Sequence, residues 1–288
     1  MLLRPFAAVI FLLCAVTSDT VGEVTPNIHD LLNVENCGKS LPQSQISDRI
    51  IGGDKVKHGK YPWMVAIYQR YEYYDENYLF RCGGAILNES WIVTSTYCIQ
   101  RPKEPWNYWV YTGLYKLSEV DGPTVKRHKV SKIITHEEYN EYYIYKYNIA
   151  LIKLKTPIDF AESGGYVNAI CLPQNNEDPA GFATVTGWGN IGSRYNDRTD
   201  VLMEATVPII PPAQCQNNYG NNICAGNKEK NFCDYDYGSP LLQRNYESVA
   251  TLLGIVASGF SCGESDNPGQ YTRVSMYLNW MAKKISEN

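Results

Sequence analysis

Short β-branched and aromatic runs separated by Gly, Pro, Asn and Asp turns recur along this chain, and nothing else constrains its fold as strongly. Trp63–Tyr68, Gly84–Leu87, Trp91–Thr94, Ala150–Leu154, Thr184–Gly187 and Leu252–Ala257 read as strands of this kind. Strands so short and so often interrupted build an all-β barrel or sandwich. One segment breaks the pattern. Leu278, Met281 and Ile285 fall at helical spacing behind the candidate cap Ser275, with Lys283-Lys284 near the end. An amphipathic C-terminal helix is therefore expected over about 275–286.

The first residues read as a secretory signal. Arg4 precedes the apolar run Phe6–Val16, and the small residues Thr17-Ser18 follow. A signal peptide over 1–22 and an extracellular destination are expected; the run is too short for a membrane span. The chain has nine cysteines, and removing Cys14 with the signal leaves eight (9 − 1). An even number in a secreted chain implies a disulfide framework, although spacing alone permits 105 pairings. No C-x-x-C pair points to a metal and no cofactor motif is present, so neither is expected. A formal net charge of −4 offers no basic patch for nucleic acid. Asn88-Glu-Ser90 is a glycosylation sequon in an expected surface turn.

Three segments carry a family resemblance. Cys82-Gly-Gly-Ala-Ile-Leu-Asn-Glu-Ser-Trp-Ile-Val-Thr-Ser-Thr-Tyr-Cys98 resembles the C-G-G-(S/A)-L-x-x-x-x-W-V-(V/L)-(T/S)-A-A-H-C segment of trypsin/chymotrypsin-family serine proteases. Tyr147-Asn-Ile-Ala-Leu-Ile-Lys153 resembles N-D-I-A-L-(I/L)-x, and Cys233-Asp-Tyr-Asp-Tyr-Gly-Ser-Pro-Leu241 resembles C-x-G-D-S-G-G-P-L. The resemblance covers nearly all of 50–288. It implies two orthogonal six-stranded antiparallel β-barrels with a C-terminal helix, the first over about 50–165 and the second over about 166–270. The triad slots hold Tyr97 for histidine, Asn148 for aspartate and Tyr237 for serine. A phenol is a poor proton acceptor near neutrality, a carboxamide cannot stabilise an imidazolium, and an aromatic ring cannot replace an attacking hydroxymethyl. Tyr235 stands in an oxyanion glycine slot, Ser239 in another glycine slot, and Ala257 and Ser258 replace a serine and a tryptophan. The specificity-pocket slots hold Asn231, Gly259 and Gly269, so no basic preference is expected. His58, His128 and His136 fall at no position the resemblance places beside Tyr237, and read as solvated loop histidines.

The resemblance also implies the pairings Cys37–Cys171, Cys82–Cys98, Cys215–Cys224 and Cys233–Cys262. It makes Arg49-Ile50 an activation site closing a pro-segment over 23–49. Cleavage in the family frees an amine that pairs with an aspartate, kept here as Asp236.

The tyrosine content, 23 residues, is unusual. Tyr68, Tyr71, Tyr73, Tyr74 and Tyr78 are expected in one loop at the mouth of the cleft. Tyr139, Tyr142, Tyr143, Tyr145 and Tyr147 are expected in another. Tyrosine gives broad contact at low entropic cost, so Tyr71, Tyr73, Tyr74, Tyr142, Tyr143 and Tyr145 form a candidate binding face. The competing reading packs these rings on the barrel. The expected function is that of a secreted, non-catalytic regulator, adaptor or decoy. Its partners would be extracellular proteins, active serine proteases or their substrates among them. A weak or unorthodox peptidase and a structural secretory protein are the alternatives.

Overall fold

The computed structural model describes residues 32–41, 54–71, 78–174, 178–190, 198–215, 222–228, 231–258 and 268–288. The expected signal peptide, Arg49, Ile50, Tyr73, Tyr74, Gly259 and Cys262 lie outside the described residues.

The first strands are β1 (Asp54–Lys55), β2 (Met64–Arg70), β3 (Tyr78–Ile86) and β4 (Trp91–Thr94), followed by the short helix α1 (Thr96–Ile99). Then come β5 (Tyr108–Thr112), β6 (Lys126–Thr135) and β7 (Ala150–Leu154). Strands β2-β3-β4-β7-β6-β5 close into an antiparallel barrel. Apolar β-branched side chains dominate it because a closed barrel has an interior to fill. Val65, Ile67, Ile92, Val110 and Ile152 are among those fully buried.

The second half contributes β8 (Phe182–Gly187), β9 (Met203–Ile210), β10 (Asn222–Ala225), β11 (Pro240–Arg244), β12 (Ala250–Ser258) and β13 (Gly269–Arg273). Their order is β8-β9-β10-β13-β12-β11, and pairing of β11 with β8 closes the second six-stranded barrel. Strand β1 adds outside on β9. Val185, Val207, Ile223, Leu241, Val256 and Tyr271 form the interior of this barrel. The fold is the two-barrel arrangement that the resemblance implied.

The C-terminal helix α2 spans Leu278–Ser286 and buries Leu278, Met281 and Ala282. Its entry differs from the expected one. Val274–Tyr277 forms a 3-10 turn, and Ser275 Oγ accepts a bond from Arg273 Nε at 3.0 Å instead of capping α2. Glu137 holds the helix to the first barrel by pairing with Lys284 and accepting from Trp280 Nε1 at 2.9 Å.

Residues 32–41 dock against the body. Cys37 is bonded to Cys171. Gly38 N–H donates to Ala169 O at 2.7 Å, and Ala250 N–H donates to Gly38 O at 3.0 Å. Gly38 takes φ +70°, and a Cβ there would lie 2.4 Å from Ala250 O, so the strand-like approach requires glycine. Leu32 is buried in the main core.

Candidate functional site

The three triad slots converge between the barrels. Tyr97 sits on α1, Asn148 just before β7, and Tyr237 in the turn before β11. The Cys82–Cys98 disulfide ties β3 to α1. Gly83 brings the second barrel in, because its N–H donates to Tyr237 O at 3.0 Å and Thr94 Oγ1 donates to Gly83 O at 2.8 Å. A Cβ on Gly83 would lie 2.0 Å from Ser239 Oγ, so only glycine permits this approach.

Asn148 is fully buried and hydrogen-bonded throughout. Its Oδ1 accepts from Ser95 Oγ at 2.7 Å and from Tyr97 N–H at 3.1 Å. Its Nδ2 donates to Ala257 O at 3.2 Å, and its carbonyl accepts from Thr272 Oγ1 at 3.0 Å. A carboxylate would supply the two acceptor bonds but not the donor to Ala257. The amide therefore serves as a hub that joins α1 to strands β12 and β13.

The Tyr97 and Tyr237 rings pack with centroids 4.9 Å apart and planes tilted by 53°. Tyr237 packs against both core clusters, so its ring fills space between the barrels. Burial, with the nearby Asp234 charge, pushes the Tyr237 phenol up to about 12. It stays protonated at neutral pH and does not serve as a base there. Tyr139 is likewise pushed up to about 12, by burial first and the Glu141 charge second, with a smaller effect from Tyr97.

Tyr235 holds φ 74°, the left-handed backbone that its glycine slot calls for, at a cost of about 1–2 kcal/mol in a residue with a Cβ. Asp236 lies buried beneath it. Its Oδ1 accepts from Gly189 N–H at 2.8 Å and its Oδ2 from Cys233 N–H at 3.0 Å. These bonds hold its value down, but burial dominates and raises it from 3.8 to about 6. An aspartate whose folded value exceeds its unfolded one binds its proton more tightly when folded. This group therefore contributes stability that is fully present below pH ~4 and is lost as pH rises through about 6, by roughly 2–3 kcal/mol. Denaturant melts across pH 3.5–7 should show the uncut chain losing stability relative to Asp236→Asn as pH rises. A parallel profile in the variant would contradict the assignment.

Comparison with known proteins supports the same family. The family profile described as Trypsin matches residues 50–281. The chain belongs to the trypsin family. It is 40% identical over 249 residues to the venom peptide isomerase heavy chain of Agelenopsis aperta, covering 82% of this chain and 100% of that protein. It is 39% identical over 250 residues to U21-ctenitoxin-Pn1a of Phoneutria nigriventer, with 82% and 100% covered. Coagulation factor XI of Bos taurus is 33% identical over 252 residues, covering 84% of this chain and 38% of that protein.

Against that family frame, several placements differ from the sequence reading. Asn231 and Gly269 do come together, but Phe232, which the sequence reading passed over, joins them. A Cβ on Gly269 would lie 2.3 Å from Phe232 Cε1 and 2.5 Å from Asn231 Oδ1. Phe232 is buried and packs edge-on to Tyr271 at 5.2 Å, so an aromatic ring crowds the pocket wall. Its place between the pocket-floor slot and Cys233 was the available signal. Cys215 is bonded to Cys224, and Cys233 is disulfide-bonded.

The tyrosine clusters divide. Tyr68 lies on β2 and is buried, and Tyr78 lies on β3, so neither belongs to the expected loop; Tyr71 follows β2, half-buried. Strand pairing across the barrel wall claims Tyr68 and Tyr78. Tyr142 and Tyr143 are 85% and 63% exposed on a 3-10 turn, and Tyr145 is half-buried. Tyr147 instead stacks on His136 at 4.8 Å, toward α2. His128 and His136 are partly buried and packed, whereas His58 lies exposed in a turn, as its sequence position suggested. His58 contacts Tyr115 and Tyr166, His136 stacks on Trp280, and His128 lies on β6, with Nε2 3.0 Å from Thr112 Oγ1. Asn88 occupies the β3–β4 turn, where its Oδ1 accepts from Ser90 and Trp91 N–H.

Proposed function

We propose that this chain is a secreted trypsin-family homologue without peptidase activity, whose cleft binds extracellular proteins as a regulator, adaptor or decoy. The observation that carries this reading is the Tyr97–Tyr237 ring pair at 4.9 Å, set beside a neutral, fully hydrogen-bonded Asn148. A half-buried phenol pushed up to about 12 is neither nucleophile nor base at neutral pH, and no histidine stands in the triad slots. Losing a whole triad costs roughly a millionfold in turnover. Peptide isomerisation, named in one relative, needs a group that takes a proton from a backbone carbon. The Tyr237 phenol does not favour that reading either.

Exposed Tyr142 and Tyr143, with half-buried Tyr71 and Tyr145, support a binding face. Cleavage after Arg49 would bring an amine to Asp236 and order the turn carrying Tyr235 and Tyr237. N-terminal sequencing beginning at Ile50 would mark that form. A fluorophosphonate that labels active serine proteases is expected to leave the mature chain unmodified. Stoichiometric labelling at any side chain would sink the reading in favour of an unorthodox hydrolase.

A further inference from the structure

The rim of the old cleft carries two arginines, Arg81 and Arg198, that form no ion pair among the described residues. Arg81, on β3 beside Cys82, places its Cζ 4.9 Å from the centroid of the Tyr97 ring. Its Nε is buried and has no hydrogen-bond partner. The Tyr139 hydroxyl is also buried without a partner. Arg198 places its Cζ 4.6 Å from the Tyr235 ring and 5.7 Å from the Phe80 ring. Phe80 precedes Arg81 on β3, and Tyr97 packs on Tyr237, two residues from Tyr235, so both arginines lean on aromatic rings carried by β3 and by the Tyr97–Tyr237 contact. Among the described residues neither arginine pairs with a carboxylate. Asp234 and Asp236 bring negative charge near Tyr237, yet neither bonds an arginine.

A guanidinium stacked on an aromatic face keeps its in-plane N–H donors available for a planar acceptor. An N–H buried without an acceptor is costly, and a ligand that supplies one recovers that cost. The site thus holds a buried guanidinium N–H and a buried phenol that lack an acceptor. We infer that the cleft accepts an acidic segment of a partner protein, with an Asp or Glu carboxylate seated between Arg81 and Arg198 beside Tyr97 and Tyr235. This inference rests on the non-catalytic binding role proposed above and names the chemistry of its partner. It reverses the charge preference of a pocket floored by aspartate. The commitment to a protein segment follows from the binding role proposed above, and the commitment to acid from the two guanidinium groups, neither of which pairs with a carboxylate among the described residues.

The test uses the full mature chain and two synthetic decapeptides, (Gly-Glu)5 and (Gly-Lys)5, with binding read by calorimetry or interferometry. The glutamate peptide is expected to bind in preference, and more weakly as salt rises. Arg81→Glu and Arg198→Glu should each weaken it ~10-fold or more. Arg127→Glu supplies the same charge change on β6, where Arg127 stacks on Trp109, and should leave binding unchanged. Arg198 is exposed, so its variant keeps the test valid if Arg81→Glu fails to fold. Equal binding of both peptides, no binding of the glutamate peptide, or an equal loss in Arg127→Glu would overturn the inference. Those results would leave the inactive cleft standing, whereas cleavage of a peptide would strike the reading beneath it.

Discussion

Asn148→Ala is expected to destabilise the folded chain by about 4 kcal/mol. The substitution strands three buried groups at once: Ser95 Oγ and Tyr97 N–H lose their acceptor, and Ala257 O loses its donor. Each such orphan costs about 1–3 kcal/mol, and shared relaxation keeps the sum below the upper limit. For a domain of this size the loss corresponds to a fall in Tm of roughly 8–16 °C. Asn140→Ala is the control, since its Oδ1 accepts only from Tyr142 N–H at an exposed 3-10 turn. It should cost about 1 kcal/mol or less. A melting shift for Asn148→Ala no larger than the control's would show that the amide is not a hub. Distance from the catalytic question makes this useful: it asks whether the aspartate slot has taken up structural work.

The second large effect belongs to Tyr237→Ser, which restores the residue type the family carries there. The ring touches both core clusters and packs on Tyr97, so its removal leaves a void and an unpartnered aromatic face. Large-to-small changes at buried aromatic positions cost about 3–5 kcal/mol, and an aromatic pair adds about 1. Tyr237 is only partly buried, which places the expectation near ~3 kcal/mol. Tyr237→Phe keeps the ring and should fall within about 1 kcal/mol of the parent. Chemical denaturation of the three proteins separates the outcomes. If serine were tolerated as well as phenylalanine, the ring would not be filling the cleft.

Both effects concern residues that could be found from the sequence. The Cys82–Cys98 and Cys233–Leu241 segments keep the family's lengths, so the slots at 97 and 237 are fixed by counting. The strands were visible for a related reason. Val65, Ile67, Ile92 and Ile152 need a barrel interior, and β-branched runs between turns announce one. Other features depend on contacts that no local pattern encodes. Tyr78 looks like a loop tyrosine among its neighbours, but cross-strand pairing with Arg70 draws it into β3. Ser275 looks like a cap until Arg273 competes for its oxygen. Phe232 closes on Gly269 from 37 residues away, and Arg81 meets Tyr97 across a disulfide-linked turn. Arg198 reaches Tyr235 only once the second barrel has closed. The triad slots could thus be read in order along the chain, while the charge of the cleft rim appears only in three dimensions.

The most direct measurement is turnover of a peptide-nitroanilide panel by the purified mature chain, with Ile50 verified as its N-terminus. A phenol in place of the nucleophile, beside a second phenol and an uncharged amide, predicts release no faster than the buffer blank. Hydrolysis with saturable kinetics that disappears in Tyr237→Phe would contradict the account at its centre.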